Sequence, residues 1–207
     1  MAPMDMMTKD LEQQSKMRFP DRLRLPFCFD GDLLAADLRK LSSPWIDHFV
    51  RQNYDGNWSV IPLRAQAGAR HPVKMIYSDP GATAFEDTPM LEGCTYFRAV
   101  LDTFKCPLQA VRLMRLTPGS VIKEHADHDL SFEDGSVRIH VPVVSNDGVE
   151  FYLNRSRVAL EAGSAWYLRL SDPHSVVNRG DADRVHLVVD ASVNDWVEAT
   201  FAAAAGY

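Results

Sequence analysis

Residues 164–190 read SAWYLRLSDPHSVVNRGDADRVHLVVD, and this stretch decides the fold. It contains three short runs rich in β-branched and aromatic residues, at residues 164–170, 174–178 and 184–190. Turn-forming residues separate the runs, namely Asp172-Pro173 and Gly180. Short apolar runs that are bounded by such residues predict β-strands joined by tight connections.

The same pattern extends upstream to residue 110 and gives eight predicted strands. Their sequences are AVRLMRL (110–116), SVIKEH (120–125), VRIHVPVV (137–144), VEFYL (149–153), RVAL (157–160), SAWYLRL (164–170), HSVVN (174–178) and RVHLVVD (184–190). Strands this short and this evenly spaced indicate an antiparallel sandwich or barrel of the jelly-roll, cupin-like kind. The predicted fold class is therefore mainly β, with flanking helices.

The N-terminal half shows helical spacing of apolar residues instead. Asp30 or Asp32 caps a helix predicted over residues 30–51, which Pro44 breaks or kinks. A second helix is predicted from Thr88-Pro89 onward, with its apolar side chains three or four residues apart. Between the two, NYDGNWSVIPLRAQAG (53–68) predicts a strand, and VNDWVEATFAAAA (193–205) predicts a closing helix.

These elements predict a single domain over residues 21–207, preceded by a disordered N-terminus over residues 1–20. Within the domain we expect a helical half at 21–105, a β core at 106–192 and a C-terminal helix at 193–207. A chain of 207 residues with 46% hydrophobic residues is long enough to bury one sizeable core.

Charge and cysteine content exclude several classes of partner. The net charge of -6 argues against nucleic-acid binding, which needs an excess of Lys and Arg. No apolar run is long enough to cross a bilayer, and the N-terminus lacks the apolar core of a signal peptide. Three scattered cysteines favour a reducing, cytoplasmic location. The expected partner is a small molecule, and the oligomeric state stays open.

The stretch HADHD (125–129) combines two imidazoles with two carboxylates. On a strand, His125 and Asp127 point to the same side because they are two residues apart. His174 lies far downstream, yet strands distant in sequence become neighbours in a jelly roll. Two His and one carboxylate on one face form the ligand set of non-haem Fe(II) oxygenases. The alternative is a polar turn facing water, and His128 is assigned to the rim.

Three further polar residues interrupt apolar strands. Arg184 is costly inside such a strand unless it is paired, and its guanidinium fits a carboxylate bidentately. Pairing of Arg184 with Asp181, Asp183 or Asp190 is the structural alternative. Arg138 and His140 are two residues apart and share one face, which is either a binding face or the solvent side of the strand.

Taken together, HADHD, RIHVPVVSN, GSAWYLRLSDPHSVVNRG and RVHLVVD resemble the aspartyl/asparaginyl β-hydroxylase family of 2-oxoglutarate oxygenases, which includes bacterial proline cis-hydroxylases. The resemblance covers roughly residues 107–192, with a fainter similarity in GNWSVIPLR (56–64). It implies a double-stranded β-helix core and an Fe(II)- and 2-oxoglutarate-dependent dioxygenase. Such an enzyme uses O₂ to hydroxylate an unactivated C–H bond and releases succinate and CO₂.

By position, the resemblance assigns metal ligands and cosubstrate contacts. The metal ligands, which carry catalysis, are His125, Asp127 and His174. The cosubstrate contacts are Arg184 for the distal carboxylate of 2-oxoglutarate, with Arg138 and His140 near its metal-chelating end. Animal members of the family lack the carboxylate ligand, so the presence of Asp127 makes this chain similar to the bacterial type.

The substrate is implied only as a class, either a free amino acid or a peptidyl Asp/Asn-like residue. Candidate substrate contacts are Trp58, Arg64, His128 and Arg115. For Trp58, plain core packing is the alternative. The N-terminal half is the part expected to select the substrate.

Other classes of protein also fit parts of the pattern. A cupin-type metal enzyme shares the barrel and the spaced histidines, but cupins use a His-x-His motif where this chain has Asp127. A non-catalytic module would bind 2-oxoglutarate and metal without turnover. A zinc hydrolase has the right ligands but lacks an evident general base. Metal identity and 2-oxoglutarate dependence separate these alternatives.

Overall fold

The computed structural model describes residues 17–41, 44–77, 79 and 81–207. Its helices are α1 (Gly31–Lys40), α2 (Pro72–Ile76), α3 (Thr95–Leu101) and α4 (Asp195–Ala205), with 3₁₀ turns at Arg51–Asn53 and Pro89–Leu91. Its strands are β1 (Arg22–Cys28), β2 (Ile46–Asp47), β3 (Tyr54–Asp55), β4 (Trp58–Gln66), β5 (Phe85–Asp87), β6 (Leu108–Leu116), β7 (Val121–His125), β8 (Ser136–Val144), β9 (Val149–Leu153), β10 (Ser156–Val158), β11 (Ser164–Leu168), β12 (His174–Asn178) and β13 (Arg184–Ser192).

The strands form two antiparallel sheets. The large sheet has the order β1-β11-β8-β13-β6-β4-β2, and β5 pairs with β4. The small sheet has the order β10-β9-β12-β7-β3. Neighbours in both sheets are mostly distant in sequence, as in a jelly roll. The predicted double-stranded β-helix core with flanking helices is therefore confirmed.

Two apolar cores lie on opposite faces of the large sheet. One joins that sheet to α1, α3 and α4 through residues such as Leu34, Phe97 and Phe201. The other joins the large sheet to the small sheet and includes Met114 and Phe151. The molecule therefore has three layers, and the second core lies where the two sheets face each other.

The side chains of β13 alternate between the two faces of the large sheet. Val185, Leu187, Val189 and Ala191 belong to the core under the helices. The intervening residues are Arg184, His186, Val188 and Asp190, and all four are buried. Because side chains alternate along a strand, these four point toward the small sheet. The large sheet thus presents charged groups to the interior of the barrel.

The eight predicted strands are all present: two match their predicted bounds, five are one or two residues longer or shorter at an end, and RVAL becomes Ser156–Val158. The closing helix is also confirmed as α4, which Asn194 caps by accepting a hydrogen bond from the N–H of Val197. The strand predicted within 53–68 is β4, which lies next to the edge strand β2 of the large sheet and pairs with β6 on its other side.

The N-terminal half is less helical than predicted. Asp30 does cap α1, but this helix ends at Lys40, so the helix predicted through residue 51 is wrong there. The next described elements are β2 and a 3₁₀ turn, because Ile46 pairs with Val60 across the edge of the large sheet. β1 was not predicted, although its RLRL pattern alternates, and it pairs with β11.

The second predicted helix is divided into a 3₁₀ turn at Pro89–Leu91 and α3. Its apolar face does pack on the sheet, since Cys94 and Phe97 are fully buried. The predicted disordered segment over residues 1–20 lies mostly outside the described residues. For Phe19 the prediction is wrong, because this ring is buried against Phe132 and Phe201. None of the described helices combines the length and apolarity needed to cross a bilayer.

Candidate metal centre

Two histidines from neighbouring strands meet at one end of the barrel. His125 is the last residue of β7 and His174 is the first residue of β12. The two strands are antiparallel neighbours in the small sheet, and these two residues are register partners. Their ring centroids are 4.3 Å apart. Residues 49 positions apart in sequence therefore present their imidazoles side by side.

Backbone carbonyls fix the orientation of both rings. His125 Nδ1 lies 2.8 Å from the carbonyl oxygen of Lys123, and His174 Nδ1 lies 3.0 Å from that of Asp172. Each Nδ1 therefore donates a hydrogen to a carbonyl oxygen, an orientation typical of histidines that bind metals through Nε2. Burial, together with the neighbouring His125, lowers the pKa of His174 to about 4, so its ring is neutral at pH 7.

Asp127 supplies a carboxylate beside the two rings. Its backbone N–H donates to Leu170 O at 2.8 Å, which anchors the segment that follows β7. Asp127 Oδ1 lies 3.7 Å from His125 Nε2, and Oδ2 accepts a 2.6 Å hydrogen bond from Arg138. One ligand atom from each of His125, Asp127 and His174 lies within 4.8 Å of the others. Asp127 reaches this position from a loop, whereas the sequence suggested strand alternation.

A buried ion network lies behind Asp127. Asp190 Oδ1 accepts from Arg138 Nε at 2.6 Å, and Asp190 Oδ2 accepts from Arg112 at 2.7 Å. Burial alone would raise the pKa of Asp190, but the charges of Arg138 and Arg112 hold it well below its ordinary value of 3.8. Arg138 thus bridges two carboxylates and fixes the orientation of Asp127.

Arg184 is buried in a different way. It is 2% exposed, and no carboxylate oxygen of the described residues lies within 4.0 Å of its guanidinium. One of its terminal nitrogens donates to His186 Nδ1 at 2.8 Å, while Nε has no partner among the described residues. Burial lowers the pKa of Arg184 to about 9. The alternative predicted for Arg184, pairing with Asp181, Asp183 or Asp190, is therefore wrong, since none of these carboxylates lies within 4.0 Å of its guanidinium. Asp190 is bound to Arg112 and Arg138 instead.

Two neutral histidines surround Arg184. His140 Nδ1 lies 3.2 Å from His186 Nδ1. Burial, followed by the charge of Arg184, lowers the pKa of both rings well below 6.5. Within the described chain, the Nε2 atoms of both rings lack hydrogen-bond partners. Buried polar atoms without partners are rare in folded proteins and indicate a missing ligand or water.

All these groups except His186 face one cavity of about 620 Å³ between the two sheets. Of the residues predicted from sequence, it is lined by His125, Asp127, His174, Arg138, His140, Arg184, Trp58 and His128. One cavity thus brings together all the residues predicted as metal ligands or cosubstrate contacts. A cavity of this size, with a few convergent polar groups in apolar walls, is typical of small-molecule sites.

Arg64 and Arg115, predicted as substrate contacts, are not brought to the cavity. Arg64 pairs with Asp87 at 2.6 Å and donates to the Phe85 carbonyl at 2.8 Å. Arg115 lies over the Trp45 ring, 4.4 Å from its centroid. On β6 the even-numbered residues from 112 face the small sheet, so alternation turns Arg115 the other way.

Sequence reasoning missed His48, Arg112 and Asp190, which also line the cavity. His48 stacks on Trp58, with centroids 3.6 Å apart and planes inclined by 9°. Burial, followed by the charge of Arg112, lowers the pKa of His48 to about 4. The sequence did hold a signal for Asp190, which lies an even number of residues from Arg184 on β13 and therefore faces the same side of the strand. His48 lies in an irregular segment and gave no such signal.

The donor set fits a divalent transition metal. Two imidazole nitrogens and one carboxylate oxygen, with the cavity open beside them, match the facial arrangement that Fe(II) takes in oxygenases. The planar guanidinium of Arg184 fits a small anion with a carboxylate group in the same cavity. The residues present therefore suit both groups that the sequence resemblance implies.

Comparison with known families gives the same assignment. The sequence model of the Aspartyl/Asparaginyl beta-hydroxylase family matches residues 32–193, which is more than half of the chain. The chain belongs to this family. The matched range contains the ligand cluster, Arg184 and the whole cavity wall from His48 onward.

Individual relatives of this family member are distant. The L-proline cis-4-hydroxylase of Rhizobium meliloti (strain 1021) is 24% identical over 164 residues, which is 78% of this chain and 57% of that protein. The chain thus spans less than two thirds of the length of this curated relative.

Two solved structures share the fold. A Pseudomonas putida prolyl-4-hydroxylase has a TM-score of 0.52 at 14% identity, covering 89% of this chain and 97% of that one. The non-heme alpha ketoglutarate dependent epimerase SnoN has a TM-score of 0.53 at 12% identity, covering 88% and 82%. At these identities the two structures support the double-stranded β-helix fold.

Proposed function

We propose that this protein is an Fe(II)- and 2-oxoglutarate-dependent dioxygenase that hydroxylates an unactivated C–H bond of an amino acid. One observation carries the proposal: a His-Asp-His cluster and a buried arginine without a carboxylate partner face the same cavity. A metal centre alone would not need Arg184. A buried cation of this kind calls for an anionic ligand.

The metal would be held by His125, Asp127 and His174. Both imidazoles are oriented through Nδ1, and His174 is neutral at pH 7, so no proton has to leave His174 before it binds a metal. Arg138 holds the second oxygen of Asp127, which leaves the first oxygen as the ligand. When bound, Fe(II), 2-oxoglutarate and O₂ supply the oxidation, in which one oxygen atom enters succinate and the other enters the hydroxylated product, with loss of CO₂.

Arg184 would bind the distal carboxylate of 2-oxoglutarate through its planar guanidinium. His140 would lie near the chelating end, because it lines the same cavity as the proposed metal ligands. For Arg138 the sequence implied the same end of the cosubstrate. Its charge is already balanced by Asp127 and Asp190, so its main role in this proposal is to position Asp127.

The walls of the cavity would shield the reaction from water. Met114, Phe151 and Val176 line it deep between the sheets, and each is buried. Apolar walls strengthen the electrostatic contacts of Arg184 and limit side reactions at the metal. Trp58 and His128 line the same cavity and are candidates for substrate contact.

For the substrate, a free amino acid is the first candidate, because the relative from Rhizobium meliloti is named an L-proline hydroxylase. A peptidyl Asp/Asn residue is the alternative, because the family is named for that activity.

The test is an anaerobic titration of metal-free protein with Fe(II) and then 2-oxoglutarate. We expect the weak visible charge-transfer band of chelated 2-oxoglutarate in the wild type. His174→Ala should abolish the band while the far-UV circular dichroism stays unchanged. His128→Ala is the matched control, since this histidine lines the cavity but lies outside the ligand cluster.

Each alternative class of protein gives a different result. Bound Fe(II) without the band would favour a cupin-type metal enzyme. A band without succinate, across a broad substrate panel in air, would favour a non-catalytic binding module. Failure to bind Fe(II), or a His174→Ala variant that retains the band, would refute the proposed site.

A further inference from the structure

A continuous row of aromatic rings runs from the metal ligands to the surface. The Trp58 ring is 6.3 Å from the His125 ring, and the His48 ring stacks on Trp58 at 3.6 Å. Phe49 stacks on His48 at 4.9 Å, and Tyr77 contacts Phe49 edge-on at 5.6 Å. We call His48, Phe49, Trp58 and Tyr77 the aromatic wall.

All four residues of the aromatic wall line the cavity. At its inner end Trp58 is buried, while at its outer end Phe49 is 39% and Tyr77 is 45% exposed. Large apolar side chains exposed together at the mouth of a cavity typically mark a binding surface. The row is also held rigidly at its centre, where the His48 N–H donates to the Trp58 carbonyl at 2.9 Å.

The wall offers hydrogen-bond donors as well as apolar ring surface. Trp58 Nε1 is buried and has no acceptor among the described residues. His48 Nδ1 accepts from the Val50 N–H at 3.4 Å, so in the neutral ring Nε2 carries the hydrogen. Such donors suit the carboxylate of an amino acid whose apolar part packs against the rings.

The charges in the cavity disfavour an acidic side chain on the substrate. Arg112 and Arg138 are already paired with Asp190, and Arg138 also with Asp127. Under the proposed function, Arg184 binds the cosubstrate and is therefore not available to the substrate. The exposed residues at the mouth include three carboxylates, those of Asp79, Asp129 and Asp134. This acidic mouth favours a substrate that carries an ammonium group.

We propose that the substrate is an amino acid with a bulky apolar side chain, which packs along the aromatic wall while one of its C–H bonds faces the metal site. The wall is longer than unsubstituted proline needs, and it offers no cation for the side chain of aspartate. This inference rests on the proposed function and narrows its substrate class.

The test compares four free amino acids with the Fe(II)-loaded enzyme: L-phenylalanine, L-leucine, L-proline and L-aspartate. We expect KM values for phenylalanine and leucine at least 10-fold below those for proline and aspartate, measured as succinate formed. Isothermal calorimetry on the protein with 2-oxoglutarate but without O₂ should show binding of phenylalanine with a negative heat-capacity change, the mark of apolar burial.

The outer rings are tested by Phe49→Ala and Tyr77→Ala, which truncate exposed side chains and so preserve the fold. Each should weaken phenylalanine binding by at least about 5-fold in calorimetry. Leu33→Ala is the matched control, because Leu33 is 47% exposed on α1 and lies outside the cavity lining. That variant should bind phenylalanine like the wild type.

Equal or better turnover of proline or aspartate would overturn the proposal, as would Phe49→Ala and Tyr77→Ala variants that bind phenylalanine like the wild type. Turnover of peptides without turnover of any free amino acid would overturn it as well. In all three cases the charge-transfer band of 2-oxoglutarate persists, so the proposed function stands. Loss of that band in the wild type would refute both proposals together.

Discussion

Two kinds of buried arginine line the cavity, and they differ in how their charge is balanced. Arg138 and Arg112 share Asp190, and Arg138 also binds Asp127, so at this end buried charges of both signs are in contact. Arg184 faces only neutral histidines, and no carboxylate of the described chain reaches it. Both kinds come from the same face of the same sheet, within hydrogen-bonded neighbouring strands.

This difference distinguishes arginines that stabilise the fold from an arginine that is suited to binding a ligand. A buried charge that is paired with another side chain is stabilised in the free protein, and removing its partner is costly. A buried charge without a partner reduces the stability of the free protein and is relieved when an anion binds. Substitutions at the two ends of the cavity should therefore affect different quantities.

The largest effect is expected for Asp190→Asn. This change leaves Arg112 and Arg138 buried without their shared carboxylate and should lower the free energy of unfolding by about 3–5 kcal/mol. It also frees Arg138 from one of its two anchors, so Asp127 is held less firmly. We expect Fe(II) affinity to fall by about 10- to 100-fold, as is usual when groups that orient metal ligands are removed. Urea unfolding of the metal-free protein and Fe(II) titration measure the two effects.

Val189→Ala is the control for this prediction. Val189 is adjacent to Asp190 on β13 but faces the helices and is fully buried. Its truncation should cost about 1–2 kcal/mol of stability and leave Fe(II) affinity unchanged. If Asp190→Asn retained the Fe(II) affinity of the wild type, Arg138 would not be positioning Asp127.

The next effect in size is expected for Arg184→Met, which removes the unpaired charge and keeps most of the volume. The concentration of 2-oxoglutarate needed for half-saturation should rise by about 10- to 100-fold, because a hydrogen-bonded buried charge contributes about 1.5–3 kcal/mol. The stability of the metal-free protein should stay unchanged or rise, in contrast to Asp190→Asn. Titration of the charge-transfer band and urea unfolding measure these two quantities.

Arg184→Lys sharpens the same comparison. It keeps the charge but loses the planar fork, so its 2-oxoglutarate affinity should lie between those of the wild type and Arg184→Met. An Arg184→Met variant that loses several kcal/mol of stability without losing affinity would show that Arg184 is structural after all.

Strand alternation explains why much of the site could be predicted from sequence. Arg138, His140 and Arg184 interrupt runs of apolar residues, and a polar residue in such a run attracts attention on its own. The His-x-Asp pattern and a distant histidine in a jelly roll then predicted that His125, Asp127 and His174 lie close together, as they do. The same reasoning failed for Arg64 and Arg115, because a lone arginine on a strand does not reveal which face it occupies.

Other features depend on contacts between distant parts of the chain. The Arg112–Asp190 ion pair joins residues 78 positions apart, and neither strand alone indicates which arginine takes the carboxylate. His48 reaches the cavity from an irregular segment whose position is set by pairing of β2 with β4. The helix predicted through residue 51 failed for the same reason, since tertiary pairing of Ile46 overrode local helical spacing.

The smallest expected effect is a pH dependence of the difference in unfolding free energy between the wild type and Asp190→Asn. The pKa of Asp190 in the folded protein lies well below its ordinary value of 3.8. Its stabilising effect is therefore fully present above about pH 4 and is lost as the pH falls toward the folded value. The difference in unfolding free energy between the two proteins should be constant from pH 7 to 5. Below about pH 4 it should narrow by up to about 1.4 kcal/mol per pH unit.

Urea unfolding of both proteins at pH 7, 5, 4 and 3 measures this difference, and carboxylates common to both proteins cancel in it. Arg184→Met has no titrating carboxylate partner to lose, so its stability relative to wild type should not change over this range. A constant difference for Asp190→Asn down to pH 3 would mean that Asp190 is not ionised between the two arginines. The paired end of the cavity would then owe its stability to packing and neutral hydrogen bonds, and the contrast with Arg184 would disappear.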